Sequence, residues 1–113
     1  MRSHAVGVDQ GSLELFSDFQ DGGDMRTGTG PRKVSRAIKF SEAFAAQPLV
    51  HVSLTMWDMG SGSNARADIR AENVTETGFD LVFRTWSDTR VTWVSASWLA
   101  IGGVPHPEHW DIY

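Results

Sequence analysis

Residues 78–102, GFDLVFRTWSDTRVTWVSASWLAIG, place apolar side chains at every second position. That period of two is the repeat of an extended strand; a helix would repeat every three or four residues. Phe79, Leu81 and Phe83 share one face, and Asp80, Arg84 and Trp86 lie with Val82 on the other. Further on, Val91, Trp93, Ser95, Ser97, Leu99 and Ile101 alternate with Thr92, Val94, Ala96, Trp98 and Ala100. The two runs are separated by Ser87, Asp88 and Thr89, polar residues of the kind that reverse a chain, so the pattern predicts a hairpin with Trp86 at its rim.

The rest of the chain repeats this theme. Residues 6–19 predict a first strand in which Leu13, Leu15 and Phe19 alternate with Glu14, Phe16 and Asp18. Residues 20–32 are rich in glycine and end in Pro31 and Arg32, the composition of a long loop. Residues 33–40 resume strand character, with Val34, Ile38 and Phe40 in phase and the charged Arg36 the exception on that face, and Phe44 is expected to plug the end of the core. Residues 49–57 read as a central strand, with Val50, Val52, Leu54 and Met56 opposed to Leu49, His51, Ser53, Thr55 and Trp57. Residues 65–74 have an apolar face (Ala67, Ile69, Ala71) and a charged one (Arg66, Asp68, Arg70, Glu72). Six strands parted by turns, with no helical period, predict an all-β antiparallel six-stranded β-sandwich. The domain is expected over residues 1–103, and residues 104–113, with two prolines and no period, as an irregular tail.

Composition narrows the function. A chain of 113 residues makes one domain. A formal net charge of −4 and the lack of a Lys/Arg cluster argue against nucleic acid. No stretch approaches the roughly 20 apolar residues that cross a bilayer, so membrane insertion is not expected. The first residues lack the apolar run of a signal peptide. The expectation is synthesis in the cytoplasm, with any extracellular action following release by lysis, by another route or on a particle surface. With no cysteine there is neither a disulfide framework nor a thiolate metal site.

Catalytic signatures are weak. His106 and His109 have a spacing that could hold a metal, but they lie in the proline-broken tail. His51 reads as a hydrogen-bonded structural histidine, and Asp21 and Asp24 as solvated loop acids that could otherwise form an acid pair. No enzyme activity and no cofactor are expected. Five tryptophans exceed what a small core readily absorbs. Trp93 and Trp98 have opposite parity in one strand, so at most one faces the interior and the other lies at a rim, an interface or a site. The charged face of residues 66–72 is either solvated, each pair being worth under about 1 kcal/mol, or paired across a symmetric oligomer interface.

The series PLVHVSL (48–54), NARADIRAENVTETGF (64–79), TWSDTRV (85–91) and SWLAI (97–101) resembles the H-type lectin domain, from about residue 33 to 101. The resemblance implies a β-sandwich that assembles as a homotrimer, with further stacking open, and binds galactose or N-acetylgalactosamine without metal at shallow sites between protomers. Arg66 matches the arginine that hydrogen-bonds sugar hydroxyls, and Trp86 the aromatic wall of the site. Ser87 stands where a histidine approaches the acetamido group. Thr29 stands where an aspartate is expected, three residues before Arg32, and Asp24 or Asp21 of the glycine-rich loop is a candidate to replace it, the other outcome being a different ligand. The expectation is a non-catalytic carbohydrate-binding module for a surface glycan, and one setting for it is the receptor-binding part of a phage-like or secreted assembly. The alternative is a structural trimerisation module with a degenerate sugar site.

Overall fold

A computed structural model of the chain describes residues 5–17, 25, 28–60, 62 and 64–105. It contains six strands: β1 (Val6–Ser17), β2 (Arg32–Lys39), β3 (Leu49–Met59), β4 (Asp68–Glu72), β5 (Gly78–Thr85) and β6 (Val91–Gly103). They form two antiparallel three-stranded sheets, ordered β1-β6-β3 and β2-β5-β4. The expected β-sandwich is therefore what the chain adopts, and residues 106–113 of the expected tail lie outside the described residues. The sheets pack face to face over Leu15, Phe79, Leu81, Phe83, Val94 and Ala96, all at most 4% exposed. Burying a large apolar side chain of this kind contributes roughly 1.5–3 kcal/mol.

The hairpin is not one. β5 and β6 are the central strands of opposite sheets, so residues 86–90 cross from one layer to the other. Ser87 makes the reversal with φ of 62°, a left-handed conformation uncommon outside glycine. A period of two reports which face of a strand is buried, and stacking satisfies it as well as lateral pairing does. The same ambiguity explains β3, which is an edge strand rather than a central one.

Two irregularities shift the expected phases. Glu14 pairs with Ser95 and Phe16 with Val94, so Leu15 is an extra residue, as in a β-bulge. Phe16 is thereby turned onto the core, 5.8 Å from the Phe83 ring. The freed Leu15 carbonyl accepts a 2.8 Å hydrogen bond from Nη2 of Arg36, which gives that arginine, charged on an otherwise apolar face, its role. In β3 the register slips between Leu54 and Met56, bringing Trp57 opposite Val94, at the sheet edge and 58% exposed.

One end of the sandwich is closed by Phe40, Phe44, Phe79 and Trp98, with ring centroids 5.1–5.9 Å apart. Phe44 is buried there, as expected. Trp98 is the tryptophan that faces inward; Trp93 is 37% exposed. Trp98 lies against Gly11, where a Cβ would come within 2.7 Å of the indole nitrogen, so the glycine leaves room for the ring.

The two outer faces differ. On the β2-β5-β4 sheet the rows across the strands read Lys33–Arg84–Asp68, Ser35–Val82–Arg70 and Ala37–Asp80–Glu72. Four of these six charged groups pair within the chain: Arg70 Nε to Asp68 Oδ2 at 2.8 Å and Arg84 Nη1 to Glu72 Oε2 at 2.6 Å. The Arg84 hydrogen bond, reinforced by its charge, holds the Glu72 carboxyl below the usual range. The charged strand face thus has its partners in its own protomer. On the β1-β6-β3 sheet the rows read Val8–Ile101–Leu49, Gln10–Leu99–His51 and Ser12–Ser97–Ser53, followed by Glu14–Ser95–Met56. Its first three rows carry no carboxylate, ammonium or guanidinium, and Leu49 is 73% exposed. A trough of about 480 Å³ runs along it between Gln10 and Ser12 on one side and His51 and Ser53 on the other. His51 is exposed there and not an interior histidine.

Candidate functional site

Because β5 runs antiparallel between β2 and β4, the start of β2, the approach to β4 and the end of β5 meet at one edge of the sheet. Three connections therefore converge there: residues 28–31, 64–67 and 86–90.

Arg32 ties the first of these to the third. It is only 6% exposed, and its guanidinium is engaged by three carbonyls. Nε donates to Gly30 at 2.9 Å, Nη1 to Met25 at 3.0 Å and Nη2 to Ser87 at 3.2 Å. The Gly30 amide donates to the same Ser87 carbonyl at 2.9 Å. Gly30 has φ of 76°, a conformation at little cost to glycine. A planar fork of five donors suits several fixed acceptors in a way that a lysine ammonium does not.

Two buried threonines hold the second connection. Thr85 lies opposite Arg32 in the register, and its hydroxyl donates to the Arg66 carbonyl at 2.5 Å. The Thr89 hydroxyl donates to the Asn64 carbonyl at 2.5 Å and accepts from the Arg66 amide at 3.1 Å. Both backbone groups of Arg66 are thus fixed. Its side chain is oriented by Asp88, with Nη1 2.7 Å from Oδ1. With the pair one-third to one-half exposed, its net stabilisation is at most about 1 kcal/mol, so its main effect is to aim the guanidinium. Trp86, between the threonines in sequence, is 42% exposed. Beside it runs a groove of about 300 Å³ lined by Pro31, Arg32, Lys33, Arg84, Thr85 and Trp86.

Of the sequence candidates, Arg66, Trp86, Ser87 and Thr29 meet at this end. Thr29 is exposed and adjoins the Gly30–Ser87 contact. Ser87 acts structurally through its carbonyl. Asp24, Asp21, Phe19, His106 and His109 lie outside the described residues. Among the described residues, no group of three His, Cys, Asp or Glu side chains could hold a metal, and no helix is long and apolar enough to cross a membrane. Sequence reasoning missed Thr85, Asp88 and Thr89 as a clamp, although all three stand in the TWSDT run. Their polar character was a signal, but their partners, 19–25 residues away in sequence, were not.

Thr89→Val keeps the shape and removes both hydroxyl bonds. It is expected to destabilise the fold by about 1–3 kcal/mol, read as a lower denaturant midpoint. Thr89→Ser should restore most of that stability; equal effects of the two variants would mean that the methyl, not the hydroxyl, matters.

This geometry combines a planar exposed aromatic with a fixed arginine at a shallow edge. The family model of the H-type lectin domain matches residues 35–101, more than half of the chain. The chain is 55% identical over 108 residues to a protein of Fuscovulum blasticum described as ATP synthase subunits region ORF 7, covering 96% of this chain and 94% of that one. It is 31% identical over 78 residues to Discoidin-2 of Dictyostelium discoideum, covering 68% of this chain and 30% of that protein. The solved structure of recombinant discoidin II from the same organism superposes with a TM-score of 0.76 at 26% identity, over 91% of this chain and 40% of the other. The chain therefore spans nearly all of the Fuscovulum blasticum relative but well under half of the discoidin.

Proposed function

We propose that this chain, which belongs to the H-type lectin domain family, binds a surface glycan at the edge formed by Arg66 and Trp86. A lectin domain binds carbohydrate and does not transform it. The observation that carries the choice of edge is the clamp: Thr85 and Thr89 fix the Arg66 backbone and Asp88 orients its side chain, at the same end of the sheet as the exposed Trp86. An indole offers its face to the apolar side of a pyranose ring, and a preoriented guanidinium offers donors to ring hydroxyls. Galactose and N-acetylgalactosamine are the sugars to test first. Thr29 supplies a neutral hydroxyl where a carboxylate would accept more strongly from sugar hydroxyls, so the contact at that position is weaker than an aspartate would make.

Assembly into a homotrimer is part of this reading. Its support is the outer face of the β1-β6-β3 sheet, whose first three rows are uncharged and which exposes Leu49 and Ile101, in a chain whose other outer face is charged. Such a face favours burial against other copies of the chain. Three shallow sites on one particle would bind a repetitive glycan with avidity far above that of a single site. A place on a phage-like or secreted assembly would suit such presentation.

The uncharged face also favours a second reading, a structural trimerisation module whose sugar site is degenerate. Calorimetry against galactose, N-acetylgalactosamine and bacterial polysaccharide separates the two. The lectin reading expects binding by the wild type and a loss of roughly tenfold or more in Trp86→Ala, the scale of a truncated aromatic hot spot. No binding by the wild type to any sugar would leave the structural reading.

A further inference from the structure

We infer that the sugar bound beside Trp86 is an acidic one, a pyranose whose anionic substituent meets the ammonium of Lys33. The inference rests on the reading of this edge as a glycan site and names the class of ligand it takes.

The groove has two kinds of wall. Pro31 and the Trp86 indole are apolar, and the remaining lining comprises Arg32, Lys33, Arg84 and Thr85. Three cations and no carboxylate line a groove in a chain of net charge −4. The three are not equivalent. Arg32 is buried and turned inward onto three carbonyls. Arg84 is drawn along the sheet surface to Glu72 at 2.6 Å. Lys33 lies directly opposite Arg84 on the β2 edge strand, is exposed, and forms no ion pair with any described residue. It is the cation of the groove available to a ligand.

A volume of about 300 Å³ is at the lower end of small-molecule sites. A pyranose stacked on the indole would present its edge substituents across the groove toward the β2–β5 ladder, where Lys33 stands. A carboxylate or sulfate ester there would gain a charge-assisted hydrogen bond, roughly twice as strong as a neutral one. Arg84 beside it adds attraction without leaving Glu72. A neutral hexose would gain the stacking and the neutral hydroxyl contacts but not this charge-assisted bond.

The test measures binding of the full chain to galactose, galacturonic acid and galactose 6-sulfate coupled to one support, with wild type, Lys33→Gln and Trp86→Ala, at low and high salt. At least one acidic sugar is expected to bind about tenfold or more tighter than galactose, and the preference should shrink at high salt as screening grows. Lys33→Gln should bring the acidic-to-neutral ratio close to one. Which acid wins identifies the substituent. Galactose binding as tightly as both acids would overturn the inference and leave the lectin reading intact. So would an acidic preference that Lys33→Gln does not alter. If no sugar binds and Trp86→Ala changes nothing, the glycan site itself is wrong, and the inference falls with it.

Discussion

Replacing Ser97 by glutamate is expected to convert the proposed trimer into monomers while leaving the sandwich folded. Ser97 sits on the central strand β6, in the third of the uncharged rows, between Ser12 on β1 and Ser53 on β3. Its hydroxyl is 3.2 Å from that of Ser53. In a monomer the position points outward, and a glutamate there is hydrated. Against a copy of the same face the carboxylate loses water and finds no lysine or arginine in the neighbouring rows, one of which already carries Glu14, at a cost on the order of 3–5 kcal/mol. That corresponds to roughly a hundredfold or greater weakening of association. Light scattering at micromolar concentration reads the mass, and circular dichroism checks the fold. Asp68→Lys is the contrasting variant. Asp68 already pairs with Arg70 in its own chain at 2.8 Å, so its reversal should leave the mass unchanged. If Asp68→Lys dissociates the assembly and Ser97→Glu does not, the interface is the charged sheet.

Arg32→Met is expected to cost about 3 kcal/mol or more of stability and to abolish sugar binding with it. Replacing a buried ion pair on both sides with apolar groups is often tolerated. Here the partners are backbone carbonyls of Met25, Gly30 and Ser87, which remain when the arginine is removed. Each hydrogen bond from a charged donor contributes roughly 1.5–3 kcal/mol, and an orphaned buried acceptor adds its own desolvation cost. The denaturant midpoint measures the first effect. Arg32→Lys keeps the charge but offers a single point of donation, so it should fall between wild type and Arg32→Met. A midpoint unchanged in Arg32→Met would mean that these carbonyls find water in the native state and that the staple is dispensable.

The two variants divide the molecule into what alternation reveals and what it hides. Phe79, Leu81 and Phe83 were legible as one apolar face because strand parity and apolarity coincide there, whereas in β6 both faces are apolar and only the structure shows Val94 and Ala96 as the inner one. Trp86 and Arg66 were legible as candidates through the TWSDTRV and NARADIR runs, and both come to one edge. Arg32 was not legible as a staple, since a charged residue after Pro31 looks like a solvated loop end. Only the approach of Met25 and Gly30 to Ser87 surrounds it with carbonyls. The Thr89 clamp was hidden for the same reason, because its acceptor on Asn64 is brought near by the sheet and not by the local chain. Leu15 and Leu54 mark places where a register shift, which carries no compositional signature, changed which neighbours faced inward.

The sequence alone determined that this chain is built of six strands, which side of most of them is buried, and which run carries the family resemblance. Those properties follow from side-chain period and turn chemistry, which are local. The tertiary structure decided that β5 and β6 belong to opposite sheets, that β3 is an edge, and that the charges of β4 are satisfied within the chain. It also decided that the uncharged outer face belongs to the β1-β6-β3 sheet and that Lys33 stands in the Trp86 groove. Those are properties of pairing between distant segments. A strand's period is the same whether its neighbour is hydrogen-bonded beside it or stacked across the core, so pairing is set only when all six strands bury their faces together.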